Sequence, residues 1–226
     1  MDWEKFLDPY IQTVGELKIK LRGIRKQFRK QNRHSPIEFV TGRVKSVESI
    51  QEKMALRGIK LENIAQDLQD IAGVRIMVQF VDDVEEVLTL LRSRHDMTII
   101  QERDYINNMK SSGYRSYHVI IEYSVDTIDG QKTDGQKTVL AEIQIRTLAM
   151  NFWATIEHSL NYKYKGEFPE EIKKRLEITA KIALELDEEM RKIREDIREA
   201  QLLFDPASRK LNDGVWNSDD TDEYYR

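Results

Sequence analysis

The chain contains no cysteine, which excludes disulfides and thiolate metal sites, so any metal must be held by oxygen or imidazole. No run approaches the ~20 apolar residues of a membrane span. The opening MDWEKFLDPYIQ also lacks the basic stretch and apolar core of a secretory leader. These absences point to a soluble, cytoplasmic protein with no membrane partner. Histidine is scarce: of the four, His34 and His158 stand outside any ligand spacing, and His95 with Asp96 is a lone dipeptide. What remains is a chain of 226 residues, 40% of them hydrophobic, enough to bury one substantial core with a helical appendage.

The net charge of −4 is unevenly spread. Residues 1–34 hold nine Lys or Arg against four acids, a local +5, and the last 22 residues hold six acids against three bases, a local −3. The basic segment suits a solvated helix face and equally a polyanion such as a nucleotide or nucleic acid.

Periodicity organises the chain. Phe6, Tyr10, Val14, Leu17, Leu21 and Ile24 recur at three and four residues and predict a helix from about Trp3 to Phe28. A second helix is expected from near Val44 to Gly58, and a short one over 61–69 leads to a strand over Val74–Phe80. Residues 81–94 read as a helix, followed by strands near Met97–Gln101 and Tyr117–Val125. The tandem DGQKT repeat at 129–138 reads as a hairpin tip without chemistry, because Asp-Gly pairs form tight turns. VLAEIQIRT at 139–147 is a strand with Glu142, Gln144 and Arg146 on one face and Val139, Ala141, Ile143 and Ile145 on the other. A helix from Leu148 to Tyr164 is expected to pack through Phe152, Ile156 and Leu160. Beyond Pro169 a long helix carries a narrow apolar seam, from Ile172 and Leu176 through Leu186, Met190 and Ile193, which needs either the N-terminal helix or another subunit as partner. Residues 205–226 read as an acidic, disordered tail.

Two carboxylates stand out, Asp70 just before one strand and Glu142 on another. Acids from adjacent strands can converge on a magnesium ion, which takes oxygen ligands and shares them with substrate phosphates. Taken alone, a helix-capping Asp and a strand-edge Glu fit as well. Their company is what differs: Arg75, Arg103, Lys110, Tyr114, Arg115, Tyr117, His118 and Arg146 surround them in apolar sequence. Guanidinium groups bind phosphate bidentately and stack on purines, and Tyr rings stack on bases. Metal-binding acids, phosphate-binding bases and stacking aromatics together describe a site for two nucleotides.

The motifs HSPIEFVTGRVK, QDIAGVRI, SGYRSYH and EIQIRTLAMNFWATIEHSLNYKYK are long, and through them the chain resembles the small alarmone synthetases. These are stand-alone (p)ppGpp synthetases related to the synthetase domain of RelA/SpoT proteins, and the RelQ type is the nearest in pattern. The resemblance covers residues 3 to 204 and implies an α/β (α+β) fold, a mixed sheet of about five strands flanked by helices, with long N- and C-terminal helices. It implies transfer of the ATP pyrophosphoryl group to the 3′-hydroxyl of GDP or GTP, with release of AMP. Asp70 and Glu142 would hold Mg2+, and Glu142 would also act on the attacking hydroxyl. Arg43 and Arg75 would sandwich adenine while Lys53 and Arg103 meet the ATP phosphates. Tyr114 would stack on guanine, with Lys110, His118 and Gln144 holding GDP or GTP. The role of Arg146 stays open between substrate binding and bracing the sheet. The resemblance further implies a homotetramer whose central cleft binds pppGpp as an activator through Lys18, Arg22, Arg25, Glu38, Phe39, Thr41 and Asn151. It implies no alarmone hydrolase, whose several His and Asp ligands have no counterpart here. Two other readings share some of these features. A single-stranded RNA-binding protein would use the basic helix and exposed Tyr114 and Tyr117, and another polymerase β-like nucleotidyltransferase would use the acidic site.

Overall fold

Apolar residues recurring at every second position in three central strands set the architecture. The computed structural model describes residues 1–126, 136–164 and 168–204. It contains one five-stranded sheet of β1 (Phe39–Val44), β2 (Ala72–Val78), β3 (Met97–Asp104), β4 (Tyr117–Asp126) and β5 (Gln136–Thr147). Their spatial order is β1-β2-β5-β4-β3. β2 and β5 run parallel at the centre and every other pair is antiparallel, giving the expected mixed sheet. Val74, Ile76 and Val78 of β2, Val119, Ile121 and Tyr123 of β4, and Ala141, Ile143 and Ile145 of β5 all enter one core. That core is closed by Tyr10, Val14, Leu17 and Leu21 of helix α1 (Trp3–Lys30) and by Val84, Val87, Leu88 and Leu91 of a second helix, Asp83–Arg92. Each fully buried side chain of this kind contributes about 1.5–3 kcal/mol. Because side chains alternate, the residues between them are driven to the opposite face of the sheet.

Helix α1 starts where Asp2 accepts a hydrogen bond from the Lys5 amide (3.2 Å), and it lies across β1, β2, β5 and β4. Gly42 makes that close approach feasible. A Cβ there would sit 2.9 Å from Val14 Cγ1 and 3.1 Å from the Gly73 carbonyl.

The structure departs from the sequence expectation at three places. Residues 39–44 form strand β1, and helix α2 (Val47–Arg57) begins only after it, capped by Ser46, so Arg43 and Val44 belong to a strand. The short β1 gives too little alternation to stand out; its pairing with β2 decides its state. Between α2 and β2 lie a 3-10 turn at Leu61–Asn63 and the short helix α3 (Ile64–Asp67), which makes Asp83–Arg92 helix α4. In α5 (Leu148–Lys163) the buried residues are Met150, Trp153 and Ala154, whereas Phe152 (71% exposed), Ile156 and Leu160 face outward. In α6 (Glu170–Phe204) Ala180, Asp187 and Arg194 are buried, and Leu186, Met190 and Ile193 are exposed. The docked face of α6 thus changes from small apolar to charged residues, and α1 is not the partner of its apolar seam. Part of the predicted hairpin tip, up to residue 135, and the whole of 205–226 lie outside the described residues.

Helix α6 is held to the body by two buried ion pairs. Arg115 Nη1 donates to Asp187 Oδ2 (3.1 Å), which also accepts from the Thr147 hydroxyl (3.0 Å). Farther along, Arg194 Nη1 donates to Asp83 Oδ1 (2.8 Å) and its guanidinium lies over the Phe80 ring. Asp83 also meets His34 and accepts from the Phe80 amide. Burial pushes the Asp83 carboxyl up, but His34 and Arg194 outweigh it and hold it below its ordinary value. Removing one partner of a buried pair strands the other charge. Asp83→Ala is therefore expected to lower the unfolding free energy by about 3–5 kcal/mol in urea titration, and Arg194→Met in the same background should recover part of that loss.

Candidate active site

The polar face of the sheet is a lattice set by strand register. One transverse row runs Thr41, Arg75, Gln144, His118 and Arg103 across all five strands, and the next runs Arg43, Gly73, Glu142, Ile120 and Gln101. Gly73, between Arg43 and Glu142, leaves the space that a side chain would fill. A cavity of about 250 Å3 opens there, lined by Thr41, Arg43, Lys45, Asp70, Arg75 and Glu142 among others.

Asp70 stands on this cavity just ahead of β2. Its Oδ2 accepts from Lys45 Nζ (2.7 Å) and from Lys53 Nζ (2.6 Å). Its Oδ1 is buried and has no hydrogen-bond partner. It does not cap a helix. Burial pushes its carboxyl up, yet the two ammonium groups prevail and hold it below its ordinary value. Burial lowers the Lys53 ammonium against the pull of Asp70. Arg75 is lowered by burial and by its neighbours Arg146 and Arg43, a crowd of cations suited to polyanionic substrate.

Glu142 is buried at 8% exposure. His118 Nδ1 lies 2.9 Å from its Oε1, and Gln144 Nε2 donates to its Oε2 (2.7 Å). Burial raises this carboxyl, and the His118 and Gln144 hydrogen bonds more than offset it, leaving it below its ordinary value. Tyr114 Oη lies 2.8 Å from His118 Nε2. Lys110 Nζ sits over both Tyr105 (4.5 Å) and Tyr114 (5.2 Å). The loop before Tyr114 turns at Gly113 with φ +89°, and a Cβ there would overlap the Cβ of Ala180 on α6.

The fold thus brings together Asp70, Glu142, Arg43, Arg75 and Gln144 around the cavity, with Lys53 reaching it through Asp70 and with Lys110, Tyr114 and His118 beside it. Arg103 does not line the cavity; its Nη2 donates to Gln69 (2.6 Å) and Gln101 (2.7 Å). Of the residues expected in a regulatory cleft, Arg22 donates to the Val40 carbonyl (3.2 Å), Arg25 pairs with Glu38 (3.6 Å), and Lys18 lies beside Gly42. Phe39 and Thr41 lie on β1, which α1 crosses, but Thr41 faces the same cavity as Asp70, and Asn151 stands on α5 with a buried, unpartnered Oδ1. Tyr114 and Tyr117 are half-buried rather than exposed, and the Tyr117 hydroxyl donates to Glu102 (2.5 Å). Sequence reasoning missed Lys45 and Tyr105. Lys45 follows β1 by one residue, and recognising that strand would have aimed it at Asp70.

Two carboxylates, a cluster of cations and a loop bearing Tyr114 gather on one side of the sheet, groups of the kind that a nucleotide-handling transferase uses. The pattern that marks the region found in RelA / SpoT proteins matches residues 42–167, and the chain belongs to that family. It is 56% identical over 202 residues to GTP pyrophosphokinase YjbM of Bacillus subtilis, covering 89% of this chain and 93% of the relative. A GTP pyrophosphokinase family protein from Streptococcus pneumoniae superposes with a TM-score of 0.83 at 74% identity, covering 91% of this chain and 99% of that one. Small alarmone synthetase 1 from B. subtilis, bound to its product pppGpp, gives 0.81 at 56% identity over 86% and 97% of the two chains. The same protein bound to AMPCPP gives 0.75 at 52% identity over 87% and 98%. Among the described residues no helix is long and apolar enough to cross a membrane.

The two lowered carboxyls have a consequence for acid stability. A carboxyl lowered on folding contributes stability that is complete above its unfolded value, near pH 4, and lost as pH falls through the folded value. Asp70→Asn and Glu142→Gln each remove one such group. Their urea midpoints should fall less steeply than the parent's between about pH 5 and pH 2; an identical slope would refute the assignment.

Proposed function

We propose that this chain is a (p)ppGpp synthetase that moves the pyrophosphoryl group of ATP to the 3′-hydroxyl of GDP or GTP and releases AMP. The observation that carries this reading is Glu142, a buried ionised carboxylate on the wall shared by the cationic cavity and the Tyr114 side. That the B. subtilis relative binds AMPCPP and its product pppGpp supports adenine and guanine nucleotides as ligands.

Phosphoryl-type transfer demands positioning and neutralisation of charge more than covalent help, which matches a site built from Arg and Lys. Arg43 and Arg75 bind ATP through its base, and Lys45 and Lys53 exchange Asp70 for its phosphates. Tyr114 stacks on guanine, while Lys110 and Gln144 hold the acceptor. Glu142 takes the proton of the 3′-hydroxyl as its oxygen bonds to the β-phosphorus and the bond to the departing AMP breaks.

The residues fit a divalent cation. Asp70 Oδ1 is a buried acceptor without a donor, and two carboxylates leave the remaining positions for water and phosphate oxygens, as magnesium prefers. Asp70 and Glu142 would hold Mg2+, which supplies charge neutralisation for the triphosphate. We further read the chain as a homotetramer regulated by pppGpp in the Lys18, Arg22 and Arg25 region. The exposed apolar residues of α5 and α6 support an assembly of copies.

Incubation of the protein with labelled ATP and each guanine nucleotide, with thin-layer separation, tests the reaction directly. Glu142→Gln should still fold cooperatively and lose at least about 100-fold in kcat; near-parental turnover in a folded variant removes Glu142 from this role. Tyr114→Ala should raise the KM for GDP roughly tenfold and leave that for ATP alone, and a KM for GDP that does not move contradicts stacking. Native mass spectrometry checks the tetramer, and a monomer at micromolar concentration disproves it.

A further inference from the structure

We propose that Arg146 is a positioning residue for the acceptor half of the reaction: by donating to Tyr114 and Gln144 it locks in place the two side-chain branches that end on Glu142. The proposal rests on the synthetase reading above. Arg146 is 4% exposed, and among the described residues no carboxylate lies within ion-pair distance of it. Its partners are all neutral: Ser116 Oγ (3.2 Å, from Nε), Tyr114 Oη (2.5 Å, from Nη2) and Gln144 Oε1 (2.9 Å, from Nη2). A buried cation without an anion is unfavourable, and an apolar side chain would brace the sheet with less penalty.

The chemistry of the guanidinium explains its presence, because it can only donate. Tyr114 Oη must therefore accept from Arg146, and its own hydrogen goes to His118 Nε2. His118 then carries its hydrogen on Nδ1 and donates it to Glu142 Oε1. On the other branch, the Gln144 carbonyl faces both Arg146 and Arg75 Nε (3.3 Å), so its amide nitrogen must face Glu142 Oε2. Both oxygens of Glu142 thus receive a donor, and the donor-only Arg146 at the far end of each branch enforces the sense that the acceptor-only carboxylate requires. Without Arg146, only the carboxylate's own need for donors orients the two branches, and the Tyr114 hydroxyl is free to turn away from His118. The carboxylate that receives the 3′-hydroxyl proton loses its fixed orientation, and the guanine-stacking ring loses its anchor.

Steady-state kinetics of the full chain with ATP and GDP, alongside melting curves, test this. Arg146→Met is expected to lower kcat/KM for GDP by about tenfold or more while the KM for ATP stays within about twofold. Arg146→Lys, which retains charge without the fork, should restore only part of the loss. Tyr114→Phe, which keeps the ring, should reproduce part of the Arg146→Met defect, and the double variant should be no worse than Arg146→Met alone. KM values for ATP and GDP that rise together, losses that multiply in the double variant, or an unchanged kcat/KM for GDP would each overturn the proposal. Should Arg146→Met fail to fold, Tyr114→Phe decides: parental kcat/KM for GDP in that folded variant overturns the proposal, and a selective loss supports it. A parental protein that makes no product from ATP and GDP or GTP would instead refute the synthetase reading itself.

Discussion

The parallel pairing of β2 with β5 is the constraint on which the site depends. It places Gly73 opposite Glu142 and Arg75 opposite Gln144, while the intervening Val74, Ile143 and Ile145 are sealed beneath α1 and α4. A slip of one residue would turn the carboxylate and guanidiniums into the core and the valine and isoleucines outward, at a loss of many buried side chains. The geometry of the polar face is thereby secured by the apolar one. Polar groups that would be unfavourable to bury singly are gathered where they satisfy one another, and rigidity comes from the sheet beneath them.

What was legible in the chain follows from the same physics. The period-two pattern of 139–147 announced both faces of β5 without help from neighbours, and the apolar stripe of α1 was as clear. Asp70, just ahead of one strand, and Glu142, on another, could be read as a pair because of the cationic and aromatic residues around them. Strand β1 was not legible, since six residues containing Gly42 acquire their state by pairing with β2 and by accepting Val14 against the glycine. With that strand missing, Lys45 had no place. The outward direction of Phe152 and of Leu186, Met190 and Ile193 was hidden for a different reason. An apolar seam looks the same in sequence whether its partner lies in the same chain or not, and the buried Ala180, Asp187 and Arg194 reveal which side of α6 meets the body.

The α5–α6 layer also shows how two kinds of surface can share one helix. Trp153 Nε1 donates to the Leu176 carbonyl (3.2 Å) and Thr179 (3.1 Å), fixing the crossing of the two helices. A groove of about 400 Å3 runs alongside, lined by Phe152, Ile156, Leu160, Phe168 and Ile172. The same crossing presses Ala180 toward the loop that carries Lys110 and Tyr114.

That contact at Gly113 ties two segments into a single volume. The loop and α6 meet where one side has only a hydrogen and the other only a methyl group, so neither can enlarge unless the other shrinks. Sequence change at position 113 is doubly barred, by its left-handed backbone and by Ala180, while change at 180 is barred toward anything larger. One contact therefore constrains both positions, and the spacing between the loop that carries Tyr114 and helix α6 is set by a hydrogen against a methyl group.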